Sequence, residues 1–139
     1  MGRTRQTITI NDVIAINRHM IRHFGGIFFE GDDNLANRGA LEYVLDELEA
    51  SLYGSPIHPD IFSKAAALMY HIITRHIFHD GNKRTGLAAC AFLLQMNGYH
   101  LRLNQAHYEP AEIAVNVATG KMTSEQICNW LKANTEPIS

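Results

Sequence analysis

The stretch HIFHDGNKRTG, residues 76–86, puts two histidines, an acid, two glycines, an amide and two adjacent cations into one turn between two apolar helical patterns. A loop that only joins helices needs a glycine and some polar residues. A helix N-terminus carries unpaired backbone N–H groups and a partial positive charge, so a glycine-containing turn that leads into a helix is suited to an anion. Gly81 and Asn82 stand where that turn must be, and Lys83 and Arg84 add two formal charges. The combination fits a polyphosphate. Asp80 does not favour a bare phosphate, but a carboxylate beside phosphates is a common way to hold Mg²⁺ between them. His76 is then the candidate base, because an imidazole with a pKa of about 6.5 can take a proton from a hydroxyl near neutrality, worth about 10² to 10⁴ in rate. The assembly reads as group transfer from a nucleotide to a protein hydroxyl. Neither the GxxxxGK[ST] spacing of a P-loop nor GxGxxG occurs, so a nucleotide is held here by another device.

Working outward, the residues before the turn read as a helix from 60 to about 78. At about 100° per residue, Ile61, Phe62, Ala65, Leu68, Met69, Ile72 and Ile73 share one arc. His76 projects onto the same arc, which points it inward from the helix's last turn. The helix after the turn, from Asn82 to Asn97-Gly98, is apolar on nearly every side, with Gln95 as its polar interruption, and belongs at the centre of the fold. Towards the N-terminus, Gln6-Thr7-Ile8-Thr9-Ile10 alternates like a short strand, and Asn11 or Asp12 then caps a helix that stops at Gly25-Gly26. Residues 27–39 read as a loop, in which Asp32 and Asp33 are solvated, and a further helix runs from about Ala40 to near Tyr53-Gly54. Ser55-Pro56-Ile57-His58-Pro59 is a stiff connector, since each proline pushes its predecessor out of helical geometry. Beyond the central helix, residues 99–103 alternate again and are expected to pair with the N-terminal strand. Two last helices are expected, from about 107 to 119 and from 124 to 133, the second capped by Thr123.

With 139 residues the chain has the length of one domain, able to bury roughly 68 to 70% of its unfolded surface. Hydrophobic residues make up 46% and charged residues 19%, a globular composition. The formal net charge of -2 argues against direct nucleic-acid binding, so an anion site must be local. Cys90 and Cys128 match neither a disulfide framework nor a zinc motif and read as reduced core residues. The N-terminus lacks an apolar signal core, and the longest apolar run, residues 87–96, is too short to span a bilayer. The expectation is a cytoplasmic protein without a membrane partner.

The motif His76-Ile77-Phe78-His79-Asp80-Gly81-Asn82-Lys83-Arg84 resembles the HxFx(D/E)(G/A)N(G/K)R signature of the Fic/Doc family, and looks closest to its death-on-curing branch. Arg38-Gly39-Ala40-Leu41-Glu42 is similar to the RDxGxLE segment of these toxins, and Asn97-Gly98-Tyr99 suits their C-terminal part. The resemblance covers nearly the whole chain and implies an all-α fold, mainly helical, with about six helices and a small two-stranded element. Residue by residue it implies that His76 is the base, Phe78 packs the motif into the core and Asp80 orders Mg²⁺. Gly81 and Asn82 then form the cradle, and Lys83 and Arg84 neutralise phosphate charge. Lys83 replaces the glycine of the adenylylating Fic pattern, and Leu87 stands where those enzymes carry a second arginine. A long cationic side chain in a cradle built for close backbone approach changes how phosphates lie. In the Doc branch that change goes with transfer of the γ-phosphate of ATP to a Ser or Thr hydroxyl, with a translation factor such as elongation factor Tu as the implied target. Gly81, where some Doc-type toxins have alanine, keeps adenylylation open.

No (S/T)xxxE(G/N) segment, the self-inhibitory element of many Fic proteins, occurs in the chain. Restraint is therefore expected from a cognate antitoxin, a segment that folds into a groove and covers the nucleotide site. Two other readings remain beside the kinase: an adenylyltransferase, and a silent module that keeps the cradle only to hold an antitoxin or nucleotide. The pair His79-Asp80 also suggests a metal phosphohydrolase, but that chemistry needs a later aspartate and none follows Asp80. His71 and His79 are read as polar-face or loop residues, and residues 31–38 or 53–59 as the flap that holds a target.

Overall fold

The computed structural model describes residues 6–102 and 109–138. Among them are six helices and two small antiparallel sheets, in the order α1 (Ile10–Phe24), a 3-10 turn (Glu30–Asp32), α2 (Arg38–Leu48), β1 (Ser51–Leu52), β2 (Ser55–Pro56), α3 (Ile61–Thr74), α4 (Asn82–Met96), β3 (Tyr99–Leu101), α5 (Glu109–Ala118), α6 (Ser124–Asn134) and β4 (Thr135–Pro137). This is the mainly helical architecture expected. The residues expected at the start of the fifth helix, 107 and 108, and Leu103 lie outside the described residues.

Helix α4 occupies the centre, as its all-round apolar surface requires, and packs on α1, α3 and α5. Ala89, Cys90, Leu93 and Leu94 of α4 are buried together with Leu68, Met69, Ile72 and Ile73 of α3 in one continuous core. Ile127 and Leu131 close that core from α6. Cys90 is buried and Cys128 half-buried, both as free thiols, and burial pushes the Cys90 thiol well up. No helix among the described residues is long and apolar enough to cross a membrane.

Four local expectations are corrected. Residues 6–10 form no strand: Thr9 is extended, and its hydroxyl accepts from the Asp12 N–H at 3.2 Å while the Asp12 carboxylate accepts from the Thr9 N–H at 2.8 Å. This capping box starts α1 at Ile10, ahead of the caps expected at Asn11 or Asp12. Second, β3 pairs with the C-terminal β4, in the register Tyr99↔Pro137, His100↔Glu136 and Leu101↔Thr135, rather than with the N-terminal segment. Third, α2 ends at Leu48 and the chain forms a hairpin, β1 against β2, where a helix end and a stiff connector were expected. Tyr53 (φ 51°) and Gly54 (φ 81°) are both left-handed, as a two-residue turn matched to strand twist needs. Alternating positions alone cannot choose a strand's partner, and a two-residue strand is too short to show a period. Fourth, α3 stops at Thr74, not near 78, with consequences for His76 described below.

The hairpin is fastened to the helices by a half-buried polar cluster. His58 contacts Ser63 Oγ through Nδ1 at 2.9 Å and Glu47 Oε2 through Nε2 at 3.3 Å, while His71 Nε2 lies 3.8 Å from the same carboxylate. Arg75 Nε donates to His71 Nδ1 at 3.2 Å. His71 is thus part of a network and more than a residue of a polar face. Burial lowers its pKa from the ordinary 6.5; the Arg75 charge lowers it further, Glu47 opposes, and His58 adds to the depression. A histidine that resists protonation when folded binds fewer protons there than in the unfolded chain, so its contribution is present above 6.5 and is lost as pH falls through 6.5 towards the lower folded value. Denaturant unfolding at successive pH values should show stability falling over that window, with a shallower fall in His71→Gln. An unchanged slope in that variant would rule His71 out as the source.

Candidate active site

Residues 75–81 carry the chain from α3 into α4. Arg75 caps α3, its N–H bonded to the His71 carbonyl at 3.0 Å. His76 then takes a left-handed conformation, φ 49°, uncommon for a residue with a side chain. Its side chain is exposed, which corrects the inward direction projected from the helical arc: the projection assumed that the helix continued, and it had ended two residues earlier. Ile77 and Phe78 turn inward and are buried. Phe78 anchors the motif as expected.

The Asn82 amide closes a ring with the backbone of Phe78, Oδ1 accepting from the Phe78 N–H and Nδ2 donating to the Phe78 carbonyl, both at 2.8 Å. Most of that side chain's hydrogen bonding therefore shapes the motif, which leaves the backbone N–H and the amide's second hydrogen as the groups that could meet an anion at the helix start. Gly81 is left-handed, φ 79°, and a Cβ there would fall 2.9 Å from Ile21 Cδ1 and 3.2 Å from Asn17 Nδ2, so glycine is required twice over. Helices α1, α2, α3 and α6 each receive a side-chain cap from Thr9, Asn37, Asp60 and Thr123, whereas Gly81 gives α4 none. The first N–H groups of α4 are left for another partner.

A cleft of about 510 Å³ opens at this helix start. Asp80, Gly81, Asn82, Lys83 and Arg84 line one end, and Met20, Phe24, Leu87, Ala91, Ala114 and Val115 supply apolar wall. Lys83 and Arg84 are exposed in the first turn of α4, and neither has an acidic partner among the described residues. A cation there opposes the helix dipole, so an anionic ligand would relieve both. His76 is not among the lining residues; the structure brings together five of the six expected site residues and leaves the sixth on the outer surface.

The Asp80 carboxylate accepts one backbone N–H on each oxygen, Gly81 on Oδ1 and Ile27 on Oδ2, both at 2.9 Å. A side chain at Gly26 would come within 2.8 Å of Oδ2, so the loop approaches this closely only with glycine there. Each oxygen keeps a lone pair free, enough for one bond to a hard cation. Among the described residues no three His, Cys, Asp or Glu side chains are arranged to hold a metal. A Mg²⁺ ion at Asp80 would therefore complete its shell with phosphate oxygens and water, its usual habit.

The part of the site not anticipated from sequence is the set of groups beneath the turn. Asn17 of α1, fully buried, donates through Nδ2 to the Asp80 carbonyl at 2.9 Å and to Thr85 Oγ1 at 3.0 Å. Its Oδ1 accepts from Asn34 Nδ2 at 2.9 Å, and Asn34 Oδ1 accepts from the Phe29 N–H at 3.0 Å. Asn34 is left-handed, φ 63°, and its carbonyl accepts from the His79 N–H at 2.9 Å. The loop is stapled along the motif by the Leu35↔Phe78 bridge and by the N–H groups of Ala36 and Asn37 on the Ile77 carbonyl. Asp32 and Asp33 are not simply solvated: Asp32 Oδ2 meets His79 Nε2 at 2.9 Å, and Asp33 pairs with Arg18 at 3.5 Å. An asparagine on an otherwise apolar helix face, facing Val13, Ile14 and Ile21, was the available signal.

A turn that frees a helix start into a cleft, with one carboxylate and two cations that no acid among the described residues pairs, is suited to an anionic ligand. The chain belongs to the Fic/DOC family, whose sequence model matches residues 7–94. It is similar to Toxin Doc of Mycolicibacterium smegmatis, 34% identical over 86 residues that cover 62% of this chain and 66% of that protein. It is also similar to the protein kinase doc of Escherichia phage P1, 26% identical over 125 residues, 90% of this chain and 92% of that one. These relatives set the chain with the Doc-type members of the family.

Proposed function

We propose that the protein is the toxin of a toxin–antitoxin pair and transfers the γ-phosphate of ATP to a Ser or Thr hydroxyl of a protein, with elongation factor Tu as the candidate target. The supporting observation is the start of α4: a left-handed Gly81 without a side-chain cap, opening into a cleft lined by Lys83 and Arg84, which no acid among the described residues pairs. Backbone N–H groups and these two cations suit phosphate oxygens, and the apolar wall suits a base. Asp80 would hold Mg²⁺, which would neutralise charge on the phosphates. His76 takes the proton of the attacking hydroxyl. Its exposure suits a hydroxyl that arrives on another macromolecule, and its left-handed backbone is the kind of strain found at reactive positions. Leu87 contributes apolar wall where a second arginine would bind phosphate, consistent with a cradle of the Doc kind. Restraint by a separate antitoxin chain, in the cytoplasm, completes the proposal; the relative named Toxin Doc supports it.

ATP labelled on either the α or the γ phosphate, incubated with the purified chain, Mg²⁺ and candidate target protein, tests the reading. Label from the γ position on the protein is expected. Label from the α position would replace phosphorylation by adenylylation. Transfer of neither, with growth arrest persisting in His76→Ala, would leave a binding module.

A further inference from the structure

We propose that Phe24 is a positioning residue for Arg84, holding its guanidinium at the mouth of the cleft so that a polyphosphate meets an aimed fork and not a freely moving side chain. The inference rests on the nucleotide reading above and deepens it.

Phe24 is the last residue of α1, and Gly25, φ 92°, ends the helix immediately after it with its N–H on the Ile21 carbonyl at 2.8 Å. Phe24 is 53% exposed and lies outside the buried core. Its position is nevertheless well defined: the Arg84 guanidinium carbon lies 4.4 Å from the ring centroid, inside the range of a cation–π contact. The His23 ring meets it edge-on at 4.6 Å and is itself stacked on His19 at 5.8 Å. Phe24 and Arg84 line the same cleft from opposite helices.

Arg84 needs such a partner. It stands in the first turn of α4, where the dipole repels it, it is exposed, and no carboxylate among the described residues pairs with it. A free arginine loses much rotamer freedom when it binds. An aromatic face attracts the guanidinium through its quadrupole without neutralising its charge or using its N–H donors, so the fork stays available to phosphate. A carboxylate in the same place would compete with the ligand.

Calorimetric titration of the 139-residue chain with Mg²⁺-ATP and, separately, with inorganic tripolyphosphate tests this, using wild type, Phe24→Leu, Phe24→Met, Phe24→Trp, Arg84→Ala and the Phe24→Leu/Arg84→Ala pair. The two non-aromatic variants should weaken both ligands about 3- to 10-fold, and Phe24→Trp should restore wild-type affinity. In the Arg84→Ala background Phe24→Leu should have no further effect, because the ring then has nothing to position. Circular dichroism identifies a misfolded variant, and with two non-aromatic replacements the comparison survives the loss of one. Additive effects of the two substitutions, or weakening of ATP alone, would overturn positioning in favour of direct stacking on the base. Wild-type affinity in Phe24→Leu and Phe24→Met would also overturn it, while leaving nucleotide binding intact. Absence of binding by the wild type is the distinct pattern that would sink the functional reading.

Discussion

His76→Ala is expected to lower γ-phosphate transfer by about 10²- to 10⁴-fold, the loss of a general base, while nucleotide affinity stays at the wild-type level. The separation follows from geometry. His76 is exposed, its imidazole has no hydrogen bond or ion pair within the described residues, and it does not line the cleft that Gly81, Lys83 and Arg84 form. Truncating an exposed side chain changes stability by less than about 1 kcal/mol, so the variant should unfold with the wild type. Parallel titration calorimetry and transfer assays check both halves. Wild-type transfer rates in His76→Ala would remove this residue from the mechanism, and lost affinity would place it in the binding site instead.

Asn17→Leu should cost about 3 to 5 kcal/mol of folding stability, on the order of 10 °C in Tm. Leucine has the same number of side-chain heavy atoms in the same branched shape, so the loss is mainly polar in origin, with a smaller part from the crowding of its bulkier methyl groups. It strands the Asp80 carbonyl, the Thr85 hydroxyl and one Asn34 N–H in a site without solvent, each costing about 1 to 3 kcal/mol when unpaired. The same change unfastens the backbone just before Gly81, so nucleotide affinity should fall as well. Urea unfolding of Asn17→Leu, Asn34→Leu and the double variant measures it. Because the two asparagines share one network, the double variant should lose less than the sum of the singles. A loss below about 1 kcal/mol in Asn17→Leu would mean that water replaces the missing partner.

The two predictions fall on different sides of what could be read from residues alone. His76, Asp80, Gly81, Asn82, Lys83 and Arg84 announce themselves by chemistry, because a carboxylate, glycine, amide and two cations at a helix start have few purposes other than an anion. The helix order was legible for a related reason: apolar spacing at 3.6 residues is a local property, and the cap at Thr123 is set by contacts within three residues. The strand pairing of residues 99–101 was not, since a partner 34 to 38 positions away, from Leu101↔Thr135 to Tyr99↔Pro137, is chosen by where α5 and α6 leave the chain.

What the order of residues determines here is the chemistry: which groups surround the turn, and that Lys83 and Arg84 stand in the first turn of α4. Tertiary structure decides which of those groups face one another. It turns His76 outward, because α3 ends at Thr74 and the chain reverses through a left-handed residue that no helical projection contains. It also brings Asn34, Phe24 and Asn17 to the motif from 45 to 68 positions away, from the contact of Asn34 with His79 to that of Asn17 with Thr85. Local propensities act over a few residues; the burial of polar groups and the aim of a cation are set by whatever packs against them.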